Sequence, residues 1–480
     1  MRYEAVIGLE VHVQLRTLSK AFSRSRCSFA EEPNTATDPV TLGLPGALPV
    51  INKEAIRQTV RAGMIFNCAI AEVCKWDRKN YFYPDNPKNY QITQQEKPIC
   101  IGGFVEIELP GSARNIQGPH RMVRLNRIHL EEDVGKLTHR GNHSSIDFNR
   151  AGIPLAEIVS EPDLHSAEEA SAYLNSIRMH LAYAGISDCD MEKGQMRCDV
   201  NVSLRPEGGK ELGTRVEYKN LNSMSGARNA IAHEIARQSR ILEEGKTIAR
   251  ETRRWNAQKN DSEGMRTKEN LQDYCYFPDP DLMPVRLDAT FLDGLRGELP
   301  ERPFDRQRRF MDQYGLPFTI TSVLCPVREL GDFFEAALAV HYNPKAIANL
   351  IANDLLREMS SDDRKLPLGP ADLAALVREV DEGKLSKQGA QDLLVRMVRT
   401  GENFAKAAAP LLEEVRLSEL DVGQLCREAI ASSPKAAAEF RSGKTTAINA
   451  IKGAAMRAAG GKANPAELDR VLRDLLGTSP

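Results

Sequence analysis

A carboxylate and an imidazole share one face of a predicted strand near the start of the chain. In AVIGLEVHVQL, residues 5–15, apolar residues take the odd positions from 7 onward, whereas Glu10 and His12 take even positions. Because successive strand side chains point to opposite faces, both polar groups are expected to point the same way, with their Cβ atoms roughly 6 to 7 Å apart. Such a pair can bind one ion or one substrate, although antiparallel sheets also commonly expose a polar face to water.

Further acids follow the same alternation in other predicted strands. RCDVNVSL places Asp199 on a polar face, RVEYKNL does so for Glu217 and Lys219, and SIDFNR does so for Asp147. A polar face on one strand is common, but acids on four strands predict a shared acidic basin.

Three adjacent acids, Glu131, Glu132 and Asp133, lie in the segment HLEEDVGK. Consecutive carboxylates repel one another unless a cation compensates their charge, or unless they are hydrated on a loop. If they fold towards Glu10 and His12, a set of oxygen ligands with one imidazole suits a hard divalent ion such as Mg²⁺ or Mn²⁺.

A loop rich in cations and aromatic residues is the candidate counterpart of these acids. KWDRKNYFYPDNPKNYQITQ, residues 75–94, contains Lys79, Lys88, Tyr81 and Tyr83 among prolines and asparagines. Cations and aromatic faces can hold phosphates and stack a base, or the tyrosines can pack against the core. The chain lacks the GxxxxGK[ST] and GxGxxG motifs, so a nucleotide site would be of another kind. Acids, a metal and cationic loops fit phosphoryl transfer.

The composition is that of an ordinary folded protein with several domains. The chain has 480 residues, of which 41% are hydrophobic and 27% charged, so two to four domains are expected. A net charge of -2 means that nucleic acid binding would need a local basic patch. Nine cysteines without a CxxC pair indicate reduced thiols, and neither a signal peptide nor a membrane span is predicted. We therefore expect a cytoplasmic protein.

The pattern along the chain predicts an α+β fold with a mostly antiparallel sheet followed by two all-α domains. Residues 1–295 mix short alternating runs with two helical patterns, at 53–66 and 167–184. Residues 296–410 and 411–480 lose the alternation and become rich in Ala, Leu, Arg and Glu, which favours helices.

The last segment is a candidate nucleic acid contact. From Arg427 to Pro480 there are nine Lys or Arg residues and five Asp or Glu residues, a difference of +4. Such an excess can bind a phosphate backbone, and it can also be a solvated helix face. Gly383 and Pro465 are predicted to separate helices in this half of the chain.

Nine segments of the chain, taken in order, carry a resemblance to a known family: IGLEVHVQL, LGLPGALPVIN, DRKNYFYPDNPKNYQITQ, HLEEDVGK, DFNRAGIPLAEIVSEPD, RCDVNVSLRP, EYKNLNSM, ETRRW and DYCYFPDPDL. Together they closely resemble the B subunits of the bacterial tRNA-dependent amidotransferase, also called aspartyl/glutamyl-tRNA(Asn/Gln) amidotransferase. The resemblance extends through FRSGKTTAINAIKGAAMRAAGGKANP and covers essentially the whole chain.

The resemblance implies a cradle-shaped catalytic domain (1–295), a helical domain (296–410) and a small tail domain that binds tRNA (411–480). It also implies a reaction: ATP phosphorylates the side-chain carboxylate of Glu on tRNA(Gln), or of Asp on tRNA(Asn), and ammonia displaces the phosphate. Magnesium would offset charge on the transferred phosphoryl group. The expected partners are an amidase A subunit, which supplies ammonia, and a small C subunit, in a heterotrimer.

The resemblance also assigns roles to residues of this sequence. His12, Glu132 and Glu157 resemble metal-associated positions, with Glu131 an alternative to its neighbour. We expect Glu10 and Glu217 to bind a second ion or the ammonia, and Lys79 and Lys88 to face phosphate. The expected catalytic acids are Glu10, Asp199 and Glu217. The expected substrate- or ATP-binding residues are Lys79, Tyr81, Tyr83, Lys88, Arg150 and Lys219, and the expected tRNA-binding residues are Arg441, Lys444, Lys452, Arg457 and Lys462.

The chain departs from the family pattern at two places. Many members hold zinc with four cysteines near residues 20–46, where this chain has only Cys27, so a structural zinc is expected to be absent. Cys275 stands where an arginine is usual. Two other functions remain open on the sequence, a non-catalytic tRNA-binding scaffold and a metal-dependent phosphodiesterase, as does the choice between Glu-tRNA and Asp-tRNA.

Overall fold

The chain separates into two compact units, Met1–Arg302 and Pro303–Pro480. The first unit combines a large sheet with helices and the second is helical, which confirms the predicted α+β class. The domain boundaries at residues 295 and 410 stay a prediction. The computed structural model describes residues 2–28, 31–267, 274–359, 366–410, 422–460 and 463–477.

Segments of alternating polarity form the strands of the first unit. In the first strand Ile7, Val11 and Val13 are fully buried, whereas Glu10 and His12 on the other parity are partly exposed. The strands, in chain order, are β1 (Tyr3–Gln14), β2 (Ala69–Ile70), β3 (Val73–Cys74), β4 (Asp77–Asn80), β5 (Tyr90–Thr93), β6 (Cys100–Ile101), β7 (Phe104–Glu108), β8 (His120–Glu132), β9 (Lys136–Arg140), β10 (His143–Asp147), β11 (Pro154–Ser160), β12 (Met196–Pro206), β13 (Val216–Leu221), β14 (Glu251–Asn256), β15 (Asp261–Thr267), β16 (Cys275–Pro278) and β17 (Val285–Arg286).

Ten strands within the described residues form one sheet, in the order β15-β14-β13-β12-β1-β11-β8-β6-β2, with β7 also paired to β8. Its neighbours are antiparallel except β13 and β14, which confirms a mostly antiparallel sheet. A separate three-stranded sheet has the order β16-β4-β5. The predicted strand with Asp147 is confirmed as β10, but within the described residues it pairs with β9 in a separate two-stranded sheet. The expectation that Asp147 joins the other acids on the large sheet is therefore wrong.

Helices cover the apolar face of the large sheet. The predicted helices are confirmed as α1 (Lys53–Ile65) and α2 (Ala167–Tyr183). The Ser166 hydroxyl accepts a hydrogen bond from the backbone N–H of Glu169 at 3.1 Å, which satisfies one free donor at the start of α2. The buried residues of both helices join the apolar side chains of the strands in one core, and the opposite face of the sheet is left for polar side chains.

Two further helices of this unit, α3 (Met224–Glu243) and α4 (Ala289–Glu298), are not predicted from the sequence. The inner face of α3 contains Glu234 and Gln238, which are fully buried, beside small residues. The carboxylate of Glu234 accepts a hydrogen bond from the Tyr218 hydroxyl at 2.8 Å. Buried hydrogen bonds, which sequence periodicity does not reveal, therefore help to fix α3 on the sheet.

Helices make up the second unit. Gly383, with φ of +78°, lies between the helices Pro370–Asp381 and Lys387–Thr400, as predicted. No helix among the described residues is long and apolar enough to cross a bilayer. The helices are Pro303–Tyr314, Phe318–Leu324, Arg328–Val340, Pro344–Asn349, a π-helix Leu350–Leu355, Leu356–Glu358, Pro370–Asp381, Lys387–Thr400, 404–410, Val422–Ser432, Pro434–Arg441, a 3-10 turn Thr445–Ala447, Ile448–Ala458 and Pro465–Leu476.

Candidate active site

Four adjacent strands, β8, β11, β1 and β12, place a row of titratable side chains across the polar face of the large sheet. The registers oppose His129 to Glu157, Glu157 to His12, and His12 to Arg197. Directly opposed residues of antiparallel strands point to the same face, so the four groups converge although they are far apart in sequence.

The centre of this row is a three-residue cluster, which we call the acid–imidazole cluster: His12, Glu131 and Glu157. The Nε2 atom of His12 lies 3.2 Å from Oε2 of Glu157 and 3.7 Å from Oε1 of Glu131. One ligand atom from each residue lies within 4.8 Å of the other two. All three are predicted metal-associated positions, and the structure brings them together.

His129 also belongs to this site, although it is absent from the predicted set. Its Nε2 atom lies 3.5 Å from Oε2 of Glu157 and 3.9 Å from Oε2 of Glu131, and the side chain is buried. A usable signal was present, because His129 and Glu131 are two residues apart and therefore share a face of β8.

The donor set of the acid–imidazole cluster fits a hard divalent cation. Two carboxylates and one imidazole converge at a site with little exposure, where the two carboxylates would otherwise repel each other. Oxygen donors with one imidazole suit Mg²⁺ or Mn²⁺ better than a thiolate-seeking metal. Glu131, Glu157 and the Nε2 atom of His12 are therefore the residues that could hold such an ion.

Mutual electrostatics set the protonation of this cluster. Burial and the neighbouring Glu157 carboxylate raise the pKa of Glu131. Burial would also raise the pKa of Glu157, but the adjacent imidazoles of His129 and His12 outweigh it and hold that pKa below its usual range. Burial would lower the pKa of His12, but the carboxylates of Glu157 and Glu131 outweigh burial, so the pKa is raised. Glu157 is therefore the permanently charged member of the cluster.

Burial lowers the pKa of His129 to about 4, which predicts a loss of stability in acid. Between pH 6.5 and pH 4 the unfolded chain binds a proton at this imidazole that the folded chain does not bind. Relative to the His129→Gln variant, the wild type is expected to lose about 2 kcal/mol of unfolding free energy between pH 7 and pH 5. Urea unfolding of both chains in metal-free buffer measures this, and an equal loss in both would contradict it.

Glu132 is separated from the acid–imidazole cluster, which corrects its assignment as a member. It follows Glu131 directly on β8, so its side chain points to the other face of that strand. There its carboxylate forms an ion pair with Lys88 and accepts a hydrogen bond from the backbone N–H of Ile92 at 2.9 Å. Lys88 is correspondingly enclosed, with 9% of its side chain exposed, so the structure does not leave it open to a phosphate.

The predicted catalytic acids form a second group beside the cluster. Glu10 lies opposite Asp199 across β1 and β12, and its Oε1 atom accepts a hydrogen bond from Asn201 at 3.2 Å. The ammonium of Lys219 lies 3.4 Å from Asp199 and 3.1 Å from Glu217. Burial, with the charges of Glu157 and Asp199, raises the pKa of Glu10. The structure therefore brings all three acids and Lys219 together on the polar face.

Arg150 borders the site but is held by protein atoms. Its guanidinium donates hydrogen bonds to the carbonyls of Val134 at 2.9 Å and Gly135 at 2.7 Å, and it lies 3.7 Å from Asp133. It also lines a cavity of about 670 Å³. One third of its side chain remains exposed, which leaves it able to meet a substrate from that side.

Asp133 anchors the arginine of the row. Its fully buried carboxylate accepts two hydrogen bonds from Arg197, each at 3.0 Å, and one from Gln14 at 3.0 Å. Burial opposes its ionisation, but Arg197 and Arg150 outweigh burial and hold its pKa well below the usual range. Asp133 thereby fixes the position of Arg197 next to His12.

Removing this carboxylate is expected to destabilise the first unit. Asp133→Ala should lower the free energy of unfolding by about 3 kcal/mol, because it leaves a largely buried guanidinium without its partner. Asp188→Ala is the matched control, since its pair with Arg16 is exposed and should contribute under about 1 kcal/mol. Urea unfolding of the two variants makes the comparison, and equal losses would refute the anchoring role.

The cationic and aromatic loop contributes Lys79 and Tyr81 to the site region. The ammonium of Lys79 lies 4.8 Å from the ring centroid of Tyr274 and 6.0 Å from that of Tyr81. Burial would lower the pKa of Lys79, but the carboxylate of Glu131 and the other nearby groups outweigh it, so the ammonium stays charged. Tyr83 is exposed at the loop turn.

The predicted tRNA-binding residues lie in the second unit. Arg441 and Arg457 are exposed, near the ends of two helices. Lys444 pairs with Glu439 at 3.1 Å, and Lys452 lies 3.5 Å from Asp469 with 26% of its side chain exposed. Lys462 lies outside the described residues. Among the described members of this set, the two arginines and Lys444 are exposed, whereas Lys452 is partly buried.

Comparisons with known proteins find relatives that match both units of the chain. Residues 5–293 match the family model of the GatB/GatE catalytic domain, and residues 332–476 match that of the GatB domain. The aspartyl/glutamyl-tRNA(Asn/Gln) amidotransferase B subunit of Opitutus terrae is 54% identical, over 99% of this chain and 99% of its own length. The B subunits of Methylacidiphilum infernorum and Carboxydothermus hydrogenoformans are 45% and 43% identical, each over 99% of this chain and over 98% and 99% of their own lengths. The chain therefore belongs to the family of aspartyl/glutamyl-tRNA(Asn/Gln) amidotransferase B subunits.

Proposed function

We propose that this chain catalyses the ATP-dependent amidation of Glu attached to tRNA(Gln), of Asp attached to tRNA(Asn), or of both. The observation that carries the proposal is the acid–imidazole cluster with the charged Lys79 close by, in a chain 54% identical to the B subunit of an amidotransferase. A carboxylate at neutral pH is a poor acyl donor, and phosphorylation gives it a leaving group.

The reaction has two steps. An oxygen of the substrate carboxylate attacks the γ-phosphorus of ATP, and ADP leaves. The nitrogen of ammonia then attacks the carbonyl carbon, the bond to the phosphorylated oxygen breaks, and inorganic phosphate leaves with that oxygen. The ammonia gives up a proton in forming the amide.

The cluster residues position the phosphoryl group. Glu131, Glu157 and His12 would hold Mg²⁺, which when bound offsets negative charge on the phosphates. Lys79 contributes a fixed ammonium close to these carboxylates, which favours phosphate oxygens over water. Arg150 faces the substrate side from the edge of its cavity.

The second acidic group serves the ammonia step. Glu10, Asp199 and Glu217 present carboxylate oxygens on the same sheet face, where they can bind ammonia or a second ion through charge-assisted hydrogen bonds. Lys219 bridges two of them and fixes their positions. We propose that an A subunit produces the ammonia from glutamine and that a small C subunit joins the two in a heterotrimer.

An amidation assay tests the proposal. The chain, assembled with A and C subunits, is incubated with Glu-tRNA(Gln) or Asp-tRNA(Asn), ATP, Mg²⁺ and glutamine, and the amino acid on the tRNA is identified. We expect Gln-tRNA or Asn-tRNA together with ADP. Binding of tRNA without amide formation would instead favour a scaffold, and RNA cleavage without ATP would favour a phosphodiesterase.

The exposed cations of the last helices are proposed to bind the tRNA phosphate backbone. The double variant Arg441→Gln, Arg457→Gln is expected to weaken tRNA binding about tenfold near 0.1 M salt. The slope of log affinity against log salt concentration should become shallower, by the amount that corresponds to about two phosphate contacts. Lys345→Gln, which removes an exposed cation outside the tail, is the control. Filter binding over a salt series measures both, and an unchanged salt slope would contradict the proposal.

A further inference from the structure

Two tyrosines outside the predicted site share a sheet face with Lys79. The register opposes Tyr276 on β16 to Lys79 on β4, so their side chains point to the same face of the three-stranded sheet. Tyr274 and Tyr81 continue the same parities just beyond the ends of the two strands. Their rings meet, with centroids 5.6 Å apart, which confirms that they share that face.

The rings of Tyr274 and Tyr276 form a corner. Their planes are 85° apart and their centroids are separated by 6.5 Å. Tyr274 exposes 49% of its surface and Tyr276 exposes 37%, although the ammonium of Lys79 lies 4.8 Å from the Tyr274 ring. A flat ring system can stack on one tyrosine while its edge meets the other, which is the geometry that aromatic pairs favour.

Strand β5 links the corner formed by Tyr274 and Tyr276 to the acid–imidazole cluster. Lys79 lies opposite Gln91 on that strand, and Thr93, two residues further, donates a hydrogen bond from its hydroxyl to Oε2 of Glu131 at 3.3 Å. A planar group in the corner would therefore have a cation between itself and the cluster. A nucleotide has this order of groups, with its base at one end and its phosphates at the other.

We propose that Tyr274 and Tyr276 are a stacking site for an adenine base. This deepens the proposed function, because adenine occurs in both of its substrates, as the base of ATP and as the 3′-terminal base of aminoacyl-tRNA. Stacking on aromatic side chains tolerates either source, since each presents the same π-face. The cation at Lys79 then meets the phosphate or ribose that follows the base.

Fluorescence of 2-aminopurine, which falls when the base stacks, tests the site on the full chain. The probes are 2-aminopurine riboside triphosphate with Mg²⁺, and an RNA acceptor hairpin that ends in 2-aminopurine. We expect quenching of one or both, and binding about 5- to 100-fold weaker after Tyr276→Leu or Tyr274→Leu. Tyr276→Phe keeps the ring and should keep the quenching. Phe277→Leu, on the opposite face of β16, is the control and should bind like the wild type.

Each outcome of this experiment either supports or overturns the stacking site. Quenching of the triphosphate alone assigns the corner to ATP, and quenching of the hairpin alone assigns it to the 3′ end of tRNA. No quenching of either probe by the wild type, or equal quenching by the leucine variants, overturns the proposal. An enzyme that forms the amide without quenching refutes only this site, whereas quenching without amide formation refutes the proposed function and leaves the stacking site standing.

Discussion

Replacing Glu157 with glutamine is expected to lower the rate of amide formation by about 10²- to 10³-fold. The substitution keeps the shape of the side chain but removes the negative charge that lies 3.2 Å from His12 and 3.5 Å from His129. The Glu157 carboxylate stays ionised beside the imidazole of His12, so the substitution removes a negatively charged donor from the proposed cation site. Affinity for Mn²⁺ should fall in parallel.

Initial rates with saturating ATP and Glu-tRNA, together with Mn²⁺ titration followed by electron paramagnetic resonance, measure both effects. Glu161→Gln is the matched control, because Glu161 follows β11 directly and its carboxylate accepts an exposed hydrogen bond from Asn126. It should remain within about twofold of the wild type. Wild-type rate and Mn²⁺ affinity in Glu157→Gln would remove the acid–imidazole cluster from the reaction.

Replacing Lys79 with alanine is expected to reduce kcat/KM for ATP by about 10²-fold or more. The ammonium lies near the carboxylates of Glu131 and Glu157 and remains charged despite its burial, so it acts in a setting where water screens it weakly. Lys79→Arg retains the charge and should recover part of the loss, although its planar group does not reproduce a point charge.

Steady-state release of ADP in the presence of Glu-tRNA measures the Lys79 effect. Lys97→Ala is the control, since Lys97 is exposed in the same part of the chain. If Lys79→Ala turned over ATP at the wild-type rate while Lys97→Ala did so too, Lys79 would have no role towards phosphate.

Local alternation was sufficient to find one face of the site. The period of two in β1 placed Glu10 and His12 together, and the structure has them on one face. The same rule could not choose between Glu131 and Glu132, because either parity of β8 can face the site until the strand is aligned with β11. The register that opposes Glu131 to Leu155 makes this choice, and it is a contact between distant segments.

Pairing between strands brings the missed residues to the site, although the spacing of His129 from Glu131 already placed these two on one face of β8. His129 lies in the site because β8 pairs with β11, and Arg197 lies there because β12 pairs with β1. Lys88 appeared suited to phosphate by its charge, but the fold brings Glu132 to it as a partner. Periodicity identifies what one strand can present, whereas the sheet order decides which side chains meet.

An oxygen-isotope experiment tests the proposed chemistry most directly. Glu-tRNA(Gln) with ¹⁸O in both side-chain carboxylate oxygens is amidated by the assembled enzyme with ATP, Mg²⁺ and glutamine, and the inorganic phosphate is analysed by mass spectrometry. Phosphorylation of the carboxylate predicts one ¹⁸O atom in each phosphate released, in equal number to the Gln-tRNA formed. Unlabelled phosphate accompanying Gln-tRNA would show that ATP is hydrolysed by water and that the carboxylate is never its acceptor.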